Sequence, residues 1–255
     1  MQNRKLTIAL CTLISMAAAS EGRAQMLKWE DRGYLTVNGG AQVGSQSFTE
    51  SATPTIYGEA SSIQTPHMID EAGVFDVSGG VRVAGNFGLG AAYSYLSTSE
   101  SPTVTAQIPN PLFYNSPRTT TGSAGSLTHA ESAVHIQAVW MVLASNKIDV
   151  AFSGGPSIFS VSQDLVSDDI ANGLVEGAPP YSSVTLSAVP VVRQKKTAMG
   201  FNVGADVTYM FVRQFGAGVF LRYTAASVDL PTAGGGEVSV DAGGFQIGGG
   251  LRVRF

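Results

Sequence analysis

Along most of this chain apolar and polar residues take turns one by one, in segments of about ten residues separated by turn-forming clusters. Successive side chains point to opposite faces of a strand, whereas a helix repeats every 3.6 residues, so this pattern specifies half-buried strands. It is clearest at the C-terminus, where Phe245, Ile247, Gly249, Leu251, Val253 and Phe255 alternate with Gly244, Gln246, Gly248, Gly250, Arg252 and Arg254. Met199, Phe201, Val203, Ala205, Val207, Tyr209 and Phe211 share another face, and Phe215, Ala217, Val219, Leu221 and Tyr223 a third. Shorter apolar faces are Leu35, Val37 and Val43; Phe75, Val77 and Val81; Phe87, Leu89, Tyr93 and Tyr95. Val134, Ile136, Ala138 and Trp140 follow, then Ile148, Val150 and Phe152. The segments make eight strands, and in the fifth Gly154-Gly155-Pro156 predicts a bulge or a shift of register.

The connections alternate in length. Ala84-Gly85-Asn86, Leu143–Lys147 and Val212-Arg213-Gln214 are tight, while 44–73, 97–130, 162–197 and 226–241 are long. Beyond Gln25 no stretch approaches 18 apolar residues, so helical membrane spans are excluded. Residues 1–24 read as a secretory signal: Arg4 and Lys5, an apolar run from Leu6 to Ala19, then small residues Gly22 and Ala24 before Gln25. Cys11, the one cysteine, lies inside that run, so the exported chain has no thiol or disulfide. Residues 25–32 are then a short periplasmic lead-in and 33–255 the strand domain.

Period two alone does not say which face looks inward. A soluble carrier would need a strongly charged exterior, but charged residues are only 13% of the chain, about half the usual share. The polar faces are mostly Gly, Ala, Ser and Asn, which suit a crowded lumen. Aromatics decide further. Phe87, Trp140, Tyr209, Phe211, Phe215 and Phe255 lie beside the short turns; Phe75, Tyr93, Tyr95, Tyr223 and Phe245 lie toward the long loops. The two sets stand roughly 20–25 Å apart along a tilted strand, as two girdles flanking a lipid-facing band do. The expected fold is all-β: a closed antiparallel transmembrane barrel of eight strands with short periplasmic turns and four long extracellular loops.

These residues resemble the small outer-membrane β-barrel families typified by the OmpA membrane domain and OmpX. The resemblance covers Gly33 to Phe255 and is most specific in the last strand, Gly248 to Phe255. It implies that Phe245, Ile247, Leu251, Val253 and Phe255 form the signal read by the barrel-assembly machinery. It implies a fold and a place in the cell outer membrane, with lipid and lipopolysaccharide as surroundings, but no activity. No periplasmic domain is expected after Phe255, so a peptidoglycan-anchoring role is not.

The inward faces carry Arg82, Arg222, Arg252 and Arg254 against Asp76, Glu131, Asp149 and Asp206, with His135, Gln137, Gln246 and Asn202 among them. Charges in a narrow lumen must be paired or hydrated, so a plug of ion pairs is expected, with Asp206 and Arg222 as one pair. Arg82, Asp149 and Arg254 fall nearer the periplasmic mouth. The competing reading is a gate whose pairs exchange to open a narrow path. Catalysis has little to work with: Glu131 and His135 share a face as near neighbours, yet no serine stands two residues from His135. No metal site emerges, because Asp164, Asp168 and Asp169 lack calcium-loop spacing, and no phosphate loop or cofactor motif appears. A net charge of −4 without a basic surface excludes a nucleic-acid binder.

Two loop features stand out. Arg193, Lys195 and Lys196 form a basic cluster at the outer rim, suited to lipopolysaccharide phosphates. Ile108 to Tyr114 is unusually apolar for an exposed loop and either folds over the barrel mouth or displays an aromatic patch. The expectation is a monomeric, non-catalytic protein with an envelope structural or surface-interaction role. A narrow channel or carrier is the alternative, and a lipid-modifying enzyme a weaker third.

Overall fold

The computed structural model describes residues 29–255, so the signal segment and the start of the lead-in lie outside the described residues. Eight strands form a closed antiparallel ring in which each pairs with its neighbours in sequence and the last closes on the first. They are β1 (Gly33–Val43), β2 (Ala72–Ala84), β3 (Phe87–Glu100), β4 (Leu127–Leu143), β5 (Ile148–Val166), β6 (Val191–Met210), β7 (Phe215–Pro231) and β8 (Glu237–Arg254). The closing pair runs in one register from Tyr34 opposite Arg254 to Val43 opposite Phe245. Three tight turns join β2 to β3, β4 to β5 and β6 to β7 at one end.

The barrel is inside out relative to a soluble protein. Phe75, Leu89, Tyr95, Ile136, Phe152, Val203, Leu221, Ile247 and Leu251 all point outward with 45–66% of their surface exposed, and Asp76, His135, Gln137 and Asn202 are buried within. An exposed apolar belt on a closed barrel needs a lipid solvent, since such a patch in water would drive aggregation.

The fifth strand does not bulge. Gly154-Gly155-Pro156 continues β5 in an unbroken register against β6 from Ile148 opposite Tyr209 to Val166 opposite Val191. The ladder to β4 merely skips two pairs there and resumes in the same register, with His135 opposite Ser157 and Ala138 opposite Gly154. Pro156 lacks an N–H to donate, and a Cβ on Gly155 would stand 2.2 Å from the Ile136 carbonyl oxygen, so these residues let β4 and β5 approach closely. The register shift falls in β2 instead, between Arg82 and Ala84.

The strands are also longer than their lipid-facing parts, reaching 20 residues in β6. Above the membrane the apolar phase inverts by one residue. On β7 Phe215, Val219 and Leu221 face lipid, yet Val228 and Leu230 face inward; on β8 Ile247 and Leu251 face lipid and Val238 and Val240 face inward. Outside the bilayer the exterior is water, so the apolar face must turn to the interior. There Phe159, Val161, Leu165, Val228, Leu230, Val238 and Val240 close into a core, none above 9% exposed.

The fourth long loop therefore shrinks to 232–236, its flanks being strand. The other three fold into a cap. Strands Gln46–Ala52, Ser62–Ile69, Thr103–Ile108 and Arg118–Ser123 form a four-stranded sheet that merges the first two loops. Beneath it Ile56, Ile63, Val104, Ile108, Leu127, Val166, Ile170 and Leu186 bury a second core.

Candidate functional site

The lumen inside the membrane belt is a chain of paired polar groups. Arg222 donates to Asp76 at 2.6 Å, and Asn38 donates to the other Asp76 oxygen at 2.8 Å. Arg252 links Asn38 to Asp206, which also accepts from the Thr208 hydroxyl at 2.8 Å. The Asp206–Arg222 pair is therefore not formed. Arg222 reaches across the lumen to β2, and Asp206 is taken by Arg252 two strands away. Nearer the periplasm Arg254 binds Asp149 and approaches Asp31 at 3.9 Å. Arg82 is half-buried at the β2 register shift.

Higher in the lumen the Glu131–His135 proximity does not form either. Glu131 turns toward the cap, contacts His129 at 2.9 Å and accepts from the Gly243 N–H at 2.8 Å. His135 lies between the Ser157 and Ser94 hydroxyls at 2.8 and 3.0 Å. Strand pairing brings these serines from β5 and β3, which spacing within one strand does not disclose. A serine beside a histidine is half of a nucleophile–base pair, but both ring nitrogens face serines, so no carboxylate orients the ring. Gln137 donates to Asn202 at 2.9 Å, completing the layer.

A cavity of about 60 Å³ lies among Tyr34, Asn38, Asp206, Arg222 and Arg252, with Val139, Met141 and Phe220 completing its wall. At roughly 10–15 Å³ per water centre it holds a handful of waters, not a solute. Below it a vestibule of about 560 Å³ opens between Asp31, Lys147 and Arg213, and Asp149 and Arg254 line both spaces. Trp29, fully buried at the same end, packs against Tyr34 with ring centroids 6.2 Å apart and blocks a Cβ at Gly88. No sequence signal marks it, because the lead-in carries no alternation.

The cap is knitted by polar hubs. Arg118 binds Glu176 from the third loop and donates to the carbonyls of Pro109 at 2.6 Å and Tyr181 at 3.0 Å. Tyr57 of the first loop donates to the same Glu176 at 2.9 Å, so one carboxylate joins three loops. Glu176 is held below its usual range by Arg118, with burial opposing and Tyr57 assisting. Ile108 and Asn110 are buried in the cap, whereas Leu112, Phe113 and Tyr114 project outward at 54–85% exposure. The apolar loop is divided between the two alternatives: its base packs into the cap, and its tip is displayed. Three residues with positive φ, Tyr57, Asn115 and Tyr181, gather around that tip. The Asn115 N–H donates to Glu59, and the Tyr181 carbonyl accepts from Asn110.

In the rim cluster Arg193 gives two N–H groups to Asp164 at 2.8 and 3.0 Å, and Lys196 faces Glu237 at 4.0 Å. Lys195 stands exposed beside them. Among the described residues no group of three or more His, Cys, Asp or Glu is placed to hold a metal ion. The terminal residues Phe245, Ile247, Leu251 and Phe255 face lipid, Val253 is half-buried on that face, and the Phe255 carbonyl accepts from the N–H of Arg32 and Gly33, sealing the seam to β1.

A closed eight-stranded ring with a lipid-facing apolar belt and an ion-paired interior defines a small outer-membrane β-barrel, and the cell outer membrane is its place. No family model matches the chain, and no curated protein matches it. Among solved structures it is similar to the outer-membrane protein OprG of Pseudomonas aeruginosa: 12% identity, 89% of this chain, 97% of that one, TM-score 0.48. It is also similar to Neisserial surface protein A, at 11% identity, 88% and 97% coverage and TM-score 0.38. A third is the outer-membrane protease OmpT of Escherichia coli, at 10% identity, 90% and 99% coverage and TM-score 0.43. The class rests on the chain's own geometry; the likenesses carry no activity over to it.

Proposed function

We propose that this barrel is a non-catalytic anchor, sealed to solutes, whose folded outer cap is the working surface of the molecule. The observation that supports this best is the apolar core in the outer half of the barrel, above the ion-paired lumen. A solute entering from the periplasm meets first the Arg254–Asp149 pair, then a small cavity, then a packed core in which the buried polar side chains His129, Glu131 and Gln163 are bonded to one another. The cap has its own core and interloop ties, so it presents the Leu112–Tyr114 tip as a fixed feature. Asn110 accepts from the N–H groups of Leu112 and Phe113 at 2.8 and 3.2 Å, holding that tip in shape.

The second reading, a narrow channel, is favoured by the cavity and the vestibule beneath it. Conductance of the refolded protein in a planar bilayer separates the two, with a heat-dependent gel shift as the control for folding. Silence from a folded barrel is expected. Discrete openings that change in Arg222→Ala would overturn the sealed reading. Unchanged lipid A on overexpression is expected as well, and a change in its acylation would point to a lipid-modifying enzyme.

A further inference from the structure

His67, on the cap strand Ser62–Ile69, is fully buried, and both its ring nitrogens face carboxylates. Nδ1 lies 2.6 Å from Glu100 at the end of β3, and Nε2 lies 3.2 Å from Glu50 on the neighbouring cap strand. Its ring stacks on Phe48 with centroids 4.5 Å apart. Each carboxylate is tied onward: Glu50 accepts from the Val166 N–H of β5 at 3.0 Å, and Glu100 from the Met68 N–H at 2.6 Å. A neutral imidazole has one N–H and cannot donate to both carboxylates, whereas an imidazolium can. When protonated, the ring therefore ties the first loop to β3 through Glu100 and holds Glu50, whose own bond to Val166 reaches β5.

We propose that His67, clamped between Glu50 and Glu100, is a pH-operated latch that holds the first loop of the cap on the barrel and releases it as pH rises. Loss of the proton leaves two carboxylates, Glu50 buried and Glu100 partly so, facing a neutral ring that can donate to only one of them. Cap strand Thr103–Ile108, paired to the same sheet, carries no titratable residue. The other charged groups on the adjoining wall strands have partners of their own: Asp164 is held by Arg193, and Glu131 by His129. Burial pushes the His67 imidazole down, but its bonds to Glu100 and Glu50 outweigh that and hold it above the ordinary value. The latch therefore opens at a higher pH than that at which an ordinary imidazole loses its proton.

The test is amide hydrogen exchange of the refolded protein in detergent, with protection factors for Ser62–Ile69 corrected for the intrinsic rate at each pH. Between pH 6 and pH 9 protection of this strand is expected to fall at least tenfold, while β7 within the membrane belt keeps its protection. In Glu50→Gln/Glu100→Gln the fall should vanish, because a neutral ring is then tolerated. Equal protection at both pH values, or the same fall in His67→Gln, would overturn the proposal. Nitrogen-15 NMR of the His67 ring in the unaltered protein gives an independent reading. A titration above the ordinary imidazole value is expected, and one at or below it would overturn the latch.

Discussion

The Arg222–Asp76 pair tests whether the lumen is held together as the geometry requires. Both side chains are buried, Asp76 completely, and Asp76 accepts from both Arg222 and Asn38. Truncating Asp76 to alanine leaves a buried guanidinium without its counter-charge, which typically costs about 3–5 kcal/mol. The adjoining water-sized cavity can hydrate the orphaned group in part, so the lower end, about 3 kcal/mol, is expected. At a urea slope of about 2 kcal/mol/M, that lowers the unfolding midpoint by roughly 1.5 M. The assay is urea titration in lipid vesicles, read by the heat-dependent gel shift. Arg222→Ala should cost a similar amount, and the double variant clearly less than the sum, leaving a coupling of about 2 kcal/mol. The cycle between Asp206 and Arg222 should couple by under about 1 kcal/mol, because Asp206 is bound to Arg252. If Asp206 and Arg222 couple strongly while Asp76 and Arg222 add independently, the pairing described here is wrong.

Three further outcomes are expected. Arg118→Lys keeps the charge but loses the planar fork that spans Glu176 and the Pro109 and Tyr181 carbonyls; limited proteolysis should cleave the second and third loops about 10–100-fold faster, with the barrel's gel shift unchanged. Gly155→Val would place its Cβ against the Ile136 carbonyl, so the yield of heat-modifiable barrel should collapse; normal assembly would refute the close approach of β4 and β5. Asp164 is held below the usual carboxylate range, first by Arg193 and then, against burial, by the Thr128 N–H. Its contribution is complete above the ordinary carboxylate pKa and disappears as pH falls through the lowered one. Exchange protection at Thr128 should therefore be weaker in Arg193→Gln at pH 7, and the two proteins should converge in strong acid.

Within the membrane belt the sequence disclosed nearly everything about the fold, because one solvent, lipid, acts on every outward position. Leu35, Phe75, Leu89, Ile136, Phe152, Val207, Leu221 and Leu251 each lie on the expected face. The lumen was readable as a set and not as pairs. Alternation shows that Asp76, Asp206, Arg222 and Arg252 point inward, but inside a closed ring a long arginine reaches strands far around the circle. Arg222 on β7 meets Asp76 on β2, which depth along neighbouring strands does not reveal. His67, Glu50 and Glu100 were unreadable for a related reason: they meet through a sheet built from two loops whose pairing no single segment encodes.

The inversion of apolar phase above the membrane explains the remaining difference and links fold to function. Where Val228, Leu230, Val238 and Val240 follow Leu221 or precede Ile247 by an odd number of residues, the period-two pattern shifts by one and the segments resemble loops. Physically the chain is still strand, and only its surroundings have changed from lipid to water. Strands that extend past the bilayer must turn their apolar face inward, and in a ring of eight there is room for that face only as a packed core. The residues that keep the extensions soluble are therefore the ones that close the barrel, Phe159 from β5 meeting Leu230 and Val240 from the β7–β8 hairpin. Closure follows from strand length: a variant with β7 and β8 shortened to the membrane surface would lose the seal and the platform beneath the cap together.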